Sequence, residues 1–156
     1  MIKPDINFYV DSLNTLNFQF IVNKLEGKDT TLGTNPFAIS IREINIINAD
    51  FSLRSYYYMP RSFGINFTNL HLKPLDVYVT NFRVDHGVSM NIRSLSAKDH
   101  SGFILERLSA RFKINKENLT FNNLELVMPK SEIEANQVYF NFKSTKEFKT
   151  GVLEKR

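Results

Sequence analysis

A chain of 156 residues that is 42% hydrophobic can bury a core without a metal or a crosslink, and a single domain is expected. Its 20 Lys and Arg against 16 Asp and Glu leave a formal charge of +4, well short of the dense basic stripe of a nucleic-acid binder, so no nucleic acid is expected as a partner. The absence of cysteine excludes disulfides and thiolate chemistry and leaves the redox compartment open.

The opening "MIKPDINFYV" carries Pro4 and Asp5 and no long apolar run, so it does not read as a signal peptide. No later stretch approaches the roughly 20 apolar residues of a membrane-spanning helix. The chain is instead dominated by a recurrent alternation with one odd step, h-x-h-x-x-h-x-h, where h is apolar. A degraded copy stands at Phe8, Val10, Leu13 and Thr15, followed by a plain alternating run at Phe18, Phe20 and Val22 and a turn-rich segment at 25 to 36. The first full copy is Ile39, Ile41, Ile44 and Ile46, with a return run at Phe51 and Leu53. The second is Ile65, Phe67, Leu70 and Leu72, with a return run at Val77 and Val79. Further copies are Met90, Ile92, Leu95 and Ala97; Phe103, Leu105, Leu108 and Ala110; and Leu119, Phe121, Leu124 and Leu126. Between and after them lie the runs Ala110, Phe112, Ile114 and Val138, Phe140, Phe142.

A strand that slips by one residue turns its apolar set to the opposite face unless a bulge absorbs the extra residue, so each odd step predicts a β-bulge. Turn chemistry at "YMPRSFG" (58 to 64), "DHG" (85 to 87), "KDHSG" (98 to 102), "NKEN" (115 to 118) and "MPKSE" (128 to 132) marks the connections. The pattern predicts an all-β domain over residues 1 to 143, an antiparallel meander of about ten bulged strands that twists into a curved trough, with a polar tail at 144 to 156. A closed β-barrel is the alternative, because a single apolar layer must roll up, pair with another sheet or stay open. The candidate groove lining is the apolar set of the five full copies other than Ala97 and Ala110, together with Phe112.

No constellation points to an enzyme. Asp99, His100 and Ser101 are sequence neighbours, whereas a relay converges from separate parts of a fold. Asp and Ser favour turns, and Gly102 supplies positive φ, so this cluster reads as a hairpin bend. His71, His86 and His100 with Asp76, Asp85 and Asp99 lack the spacing of a zinc site. Phosphate loops and nucleophile elbows are absent too, and no cofactor or metal is expected. The stretch "RSYYYMPRSF" (54 to 63) mixes Arg54 and Arg61 with Tyr56, Tyr57, Tyr58 and Phe63, and reads as tyrosines packing at a sheet rim.

Residues 88 to 142 resemble the repeated middle region of the translocation and assembly module B (TamB) proteins of the AsmA-like superfamily, in the form found in Bacteroidetes. The resemblance rests on "IRSLSAKDHSGFILERLSARF" (92 to 112), "LTFNNLELVMPKSEI" (119 to 133) and "INFTNLHLKPLDVYVTNFRV" (65 to 84), and more loosely on "IREINIINADFSLRS" (41 to 55). It implies a slice of a long periplasmic β-groove (β-taco) whose parent is anchored in the inner membrane and meets the outer membrane. It also implies passive transport of phospholipid between the two membranes, or help in assembling outer-membrane proteins. The expected partners are then phospholipid acyl chains, neighbouring β-repeats of the parent and outer-membrane assembly machinery. The family brings no catalytic residues. Two other functions fit the residues alone: a lipocalin-like carrier of one small ligand inside a closed barrel, and a structural or partner-binding module that adds a strand to a neighbour.

Overall fold

The computed structural model describes residues 3–17, 19, 38–57, 60, 64–85, 87–115 and 117–141. The expected run at Phe18, Phe20 and Val22, the segment at 25 to 36, His86, Phe142 and the tail at 144 to 156 lie outside them. Among the described residues seven strands form one sheet in chain order: β1 (Asp5–Val10), β2 (Ile39–Ser55), β3 (Asn69–Val84), β4 (Val88–Asp99), β5 (Ile104–Ile114), β6 (Asn118–Met128) and β7 (Ser131–Asn141). From β2 to β7 the sheet is an antiparallel meander, as expected, while β1 runs parallel to the second half of β2. Among the described residues the first and last strands do not pair, so the sheet they form is open and not the closed barrel of the alternative.

The odd steps are irregularities of the ladder. Opposite β3 and again opposite β5, the step from Ile92 to Leu95 is a register shift in β4. The step from Leu105 to Leu108 shifts β5 against β4, and that from Phe121 to Leu124 shifts β6 against β5. In β2 and β3, which pair Ile39, Ile41, Ile44 and Ile46 with Val84, Phe82, Val79 and Val77, both strands take the extra residue at the same level, so the pairing does not slip. Positive φ at Asn81 and Asn123 marks two of these steps, and positive φ at Asn48 marks the separate shift between Ile46 and Ala49. Asn is the residue other than Gly that most readily adopts this conformation. The backbone N–H of Asn48 donates to Asp76 Oδ1 at 2.7 Å, which satisfies a group that the bulge removes from the ladder. Pro74, which has no N–H, sits at the β3 step between Leu72 and Leu75, where a missing ladder bond is tolerated.

Bulges also merge expected strands among the described residues. The copy at 39 to 46 and the return run at Phe51 and Leu53 belong to one 17-residue strand, joined by the irregular step at Asn48 rather than by a turn. Leu70, Leu72, Val77 and Val79 likewise share the 16-residue β3. Three copies lie partly outside strands, that of Phe103 by its first residue alone. Ile65 and Phe67 precede β3 because the Asn66 side chain accepts from the N–H and hydroxyl of Thr68 and bends the chain. At the N-terminal copy, Asp11 accepts from the N–H groups of Leu13 and Thr15, and Leu13 lies exposed in that turn. Local side-chain bonds of this kind compete with a strand ladder.

Strands pack mainly against their lateral neighbours, and no second layer is stacked on the sheet among the described residues. The best-buried cluster is made of small and medium side chains, Ala49, Leu75 and Ala97, over which Ile6, Ile46, Phe51, Leu72, Val77 and Leu95 close laterally. None of the large described side chains is fully buried.

Candidate functional site: an apolar sheet face

Residues directly opposite in paired strands share a face, so the register maps the two sides of the sheet. One row reads Ile39, Val84, Val88, Ile114, Leu119 and Phe140 across six strands without a polar member. The next pairs Ile41 with Phe82, and then Met90 with Phe112, Phe121 and Val138. A third runs Ile44, Val79, Ile92 and Ala110, then Leu124 and Ala135. The fourth runs Ile46, Val77, Leu95, Leu108, Leu126 and Ile133. Beyond it, Leu105 pairs with Ala97, and Phe51 and Leu53 pair with Leu72 and Leu70 and with Ile6 and Phe8 of β1. At about 4.8 Å per strand, the six-strand rows extend roughly 24 Å across the sheet.

Most side chains of this face are half-buried by their lateral neighbours, and Ile41, Ile133 and Phe140 are exposed. Phe112 and Phe121 meet across β5 and β6 with ring centroids 5.3 Å apart, and Phe8 meets Phe51 edge-on at 5.4 Å. The opposite face is mainly polar, with Tyr78, Val127 and Tyr139 interspersed. Asn91, Arg111, Asn122 and Gln137 form one of its rows, and Ser109, Glu125 and Glu134 another. Gln137 Nε2 donates to Asn122 Oδ1, and Arg107 and Ser109 both donate to Glu125. The sheet is wetted on one side and greasy on the other.

Of the expected lining residues, sixteen lie within strands on these rows, whereas Ile65, Phe67 and Phe103 do not. Phe67 sits exposed in a turn, and Phe103 belongs to the bend between β4 and β5. The face also includes Phe82, Val84, Val88, Ile133 and Ala135, which are not among the expected lining. Their signal is present in the sequence: Val77, Val79, Phe82 and Val84, and likewise Ile133, Ala135, Val138 and Phe140, repeat the odd-step template in strands that otherwise pass for plain alternation.

The "KDHSG" cluster is the bend between β4 and β5. The Asp99 carboxylate, whose side chain is wholly buried, accepts from the backbone N–H groups of His71 at 3.0 Å and Ser101 at 2.9 Å. Burial pushes this carboxyl up, but hydrogen bonds from Ser101 and His71 outweigh it and hold the group below the ordinary carboxylate range. A carboxylate so engaged organises a turn. Nearby, Asp50 accepts from Lys73 and from His71 Nε2 at 2.7 Å, and these two bonds, that of Lys73 first, keep its carboxyl low. Among the described residues no three His, Asp or Glu side chains converge as a metal site. Tyr56 and Tyr57 stack edge-on after β2, and Tyr57 Oη donates to the Ser12 carbonyl at 2.7 Å.

Fold and face together define a two-sided β-sheet module with one apolar surface, over which the described residues stack no second layer. No family model matches the chain, and no curated protein or solved structure matches it either.

Proposed function

We propose that the chain is a segment of a hydrophobic groove that conducts phospholipid acyl chains passively between the inner and outer membranes, like the TamB proteins its sequence resembles. The observation that supports this most directly is the continuous apolar face from β2 to β7, over which the described residues place no layer. An acyl chain lying there leaves water at a gain of about 0.8 kcal/mol per buried methylene, while its head group stays at the wet rim. The four central rows hold only Ile, Leu, Val, Phe, Met and Ala, so the cargo meets no polar anchor and can slide. No chemistry is needed for such a task.

On this proposal the module is a periplasmic part of a longer, inner-membrane-anchored envelope protein. Its neighbours are further β-repeats, and outer-membrane assembly machinery is a second client. Native mass spectrometry of the purified chain after incubation with phospholipid vesicles tests it. Adducts of intact phospholipid are expected, and they should be lost when Leu95→Asp breaks the central row but kept when Ser96→Asp alters the polar face. A chain that takes up no lipid, or two variants that behave alike, would contradict it.

A further inference from the structure

The template h-x-h-x-x-h-x-h reads the same from both ends. Two antiparallel copies can therefore oppose all four apolar positions while their irregular steps coincide. The sheet does this twice without a register shift: Ile39 to Ile46 of β2 against β3, and Leu119 to Leu126 of β6 against β7. In the second case Leu119 meets Phe140 and Leu126 meets Ile133.

β7 thus carries a complete copy of the template, and among the described residues its other edge is unpaired. That edge is 11 residues long and contains no Pro, Lys or Arg, the residues that commonly guard a free edge against pairing. Its only charges, Glu132 and Glu134, belong to the polar side, where Glu134 pairs with Glu125.

We propose that two copies of the chain join edge to edge through β7, antiparallel about a two-fold axis passing between Asn136 and Gln137. In this register Ile133 lies opposite the partner's Phe140, and Ala135 opposite the partner's Val138, which repeats the matching of β6 with β7. Glu134 then faces the partner's Tyr139 and Glu132 the partner's Asn141, so no like charges are opposed. The isologous contact closes on itself, and the apolar face continues from one copy into the next. A groove of this kind is lengthened by addition at its end. The pairing needs only the edge, so it stands or falls separately from what the apolar face carries.

The chain has no cysteine, which makes directed crosslinking clean. A mixture of Glu134→Cys and Tyr139→Cys chains is expected to form disulfide-linked dimers at least about tenfold faster than a mixture of Glu134→Cys and Glu132→Cys. Opposed side chains have β-carbons ~5 Å apart, whereas the control pair is separated by several residues along the partner strand. Sedimentation equilibrium of the unaltered chain should show its mass doubling with concentration and then stopping. A monomer at every concentration, masses growing beyond a dimer, or equal linking in both mixtures would each overturn the proposal.

Discussion

Phe112 and Phe121 face one another across β5 and β6, their ring centroids 5.3 Å apart and their planes inclined at 56°. They lie on the apolar side at the step where β6 takes its extra residue, so the pair holds the two strands together where the ladder is weakest. Aromatic pairs contribute about 0.5–1.5 kcal/mol beyond their buried area. Phe121→Ala should therefore lower stability in urea unfolding by roughly 1–3 kcal/mol, since this half-buried ring loses area as well as its partner. Thr120→Ala, on the polar side of the same strand, should stay within about 0.5 kcal/mol.

Asp99 should make the bend between β4 and β5 acid-sensitive. Its carboxyl is held below the ordinary range in the folded chain, so its contribution is complete above the unfolded value of about 3.9 and is lost as pH falls through the lower folded value. Asp99→Ala removes a charged acceptor from the N–H groups of His71 and Ser101 and should cost about 1–3 kcal/mol at neutral pH. The stability gap between the unaltered chain and this variant should shrink as pH is lowered below 4 in parallel denaturant titrations.

Asn123 tests whether the odd step is a conformational requirement. Its φ of 51° suits Asn or Gly and strains a β-branched residue. Asn123→Gly should leave unfolding within about 0.5 kcal/mol of the original, and Asn123→Val should destabilise by ~1–2 kcal/mol. Amide exchange is expected to rise first at the β5 and β6 pairing around Ser109 and Arg111.

Gly87, in the bend between β3 and β4, lies so close to β5 that a side-chain carbon would collide with the Ile114 carbonyl oxygen. Gly87→Ala should force the end of β5 away from Val88. Faster amide exchange at Val88 and Ile114, with the far end of the sheet unchanged, would report it.

Much of this architecture was legible because a bulged strand leaves a plain mark: Ile92 to Leu95 and Leu105 to Leu108 break the alternation where the ladder shifts. The bends at "DHG", "KDHSG" and "NKEN" follow from the same punctuation. The length of β2 and β3 was not legible, because Asn48 and Pro74 look like turn residues yet sit at irregular steps inside these long strands. Asn66 and Asp11 worked in the other direction, bending apolar alternation into turns by bonding to the backbone two and four residues on. The parallel pairing of β1 with Asp50–Ser55 has no local signal, since it joins segments far apart in the chain. On the candidate face, Val77 to Val84 and Ile133 to Phe140 look like plain return strands, although they carry the same odd step as their partners.

A photoreactive phospholipid whose label sits in the acyl chain probes the apolar face most directly. After illumination with the purified chain, peptide mapping should place the adducts on Ile92, Leu95, Leu108 and Phe121, and leave Asn91, Ser96, Arg111 and Asn122 on the opposite side unlabelled. Adducts spread evenly over both sides, or none at all, would contradict a lipid-bearing groove.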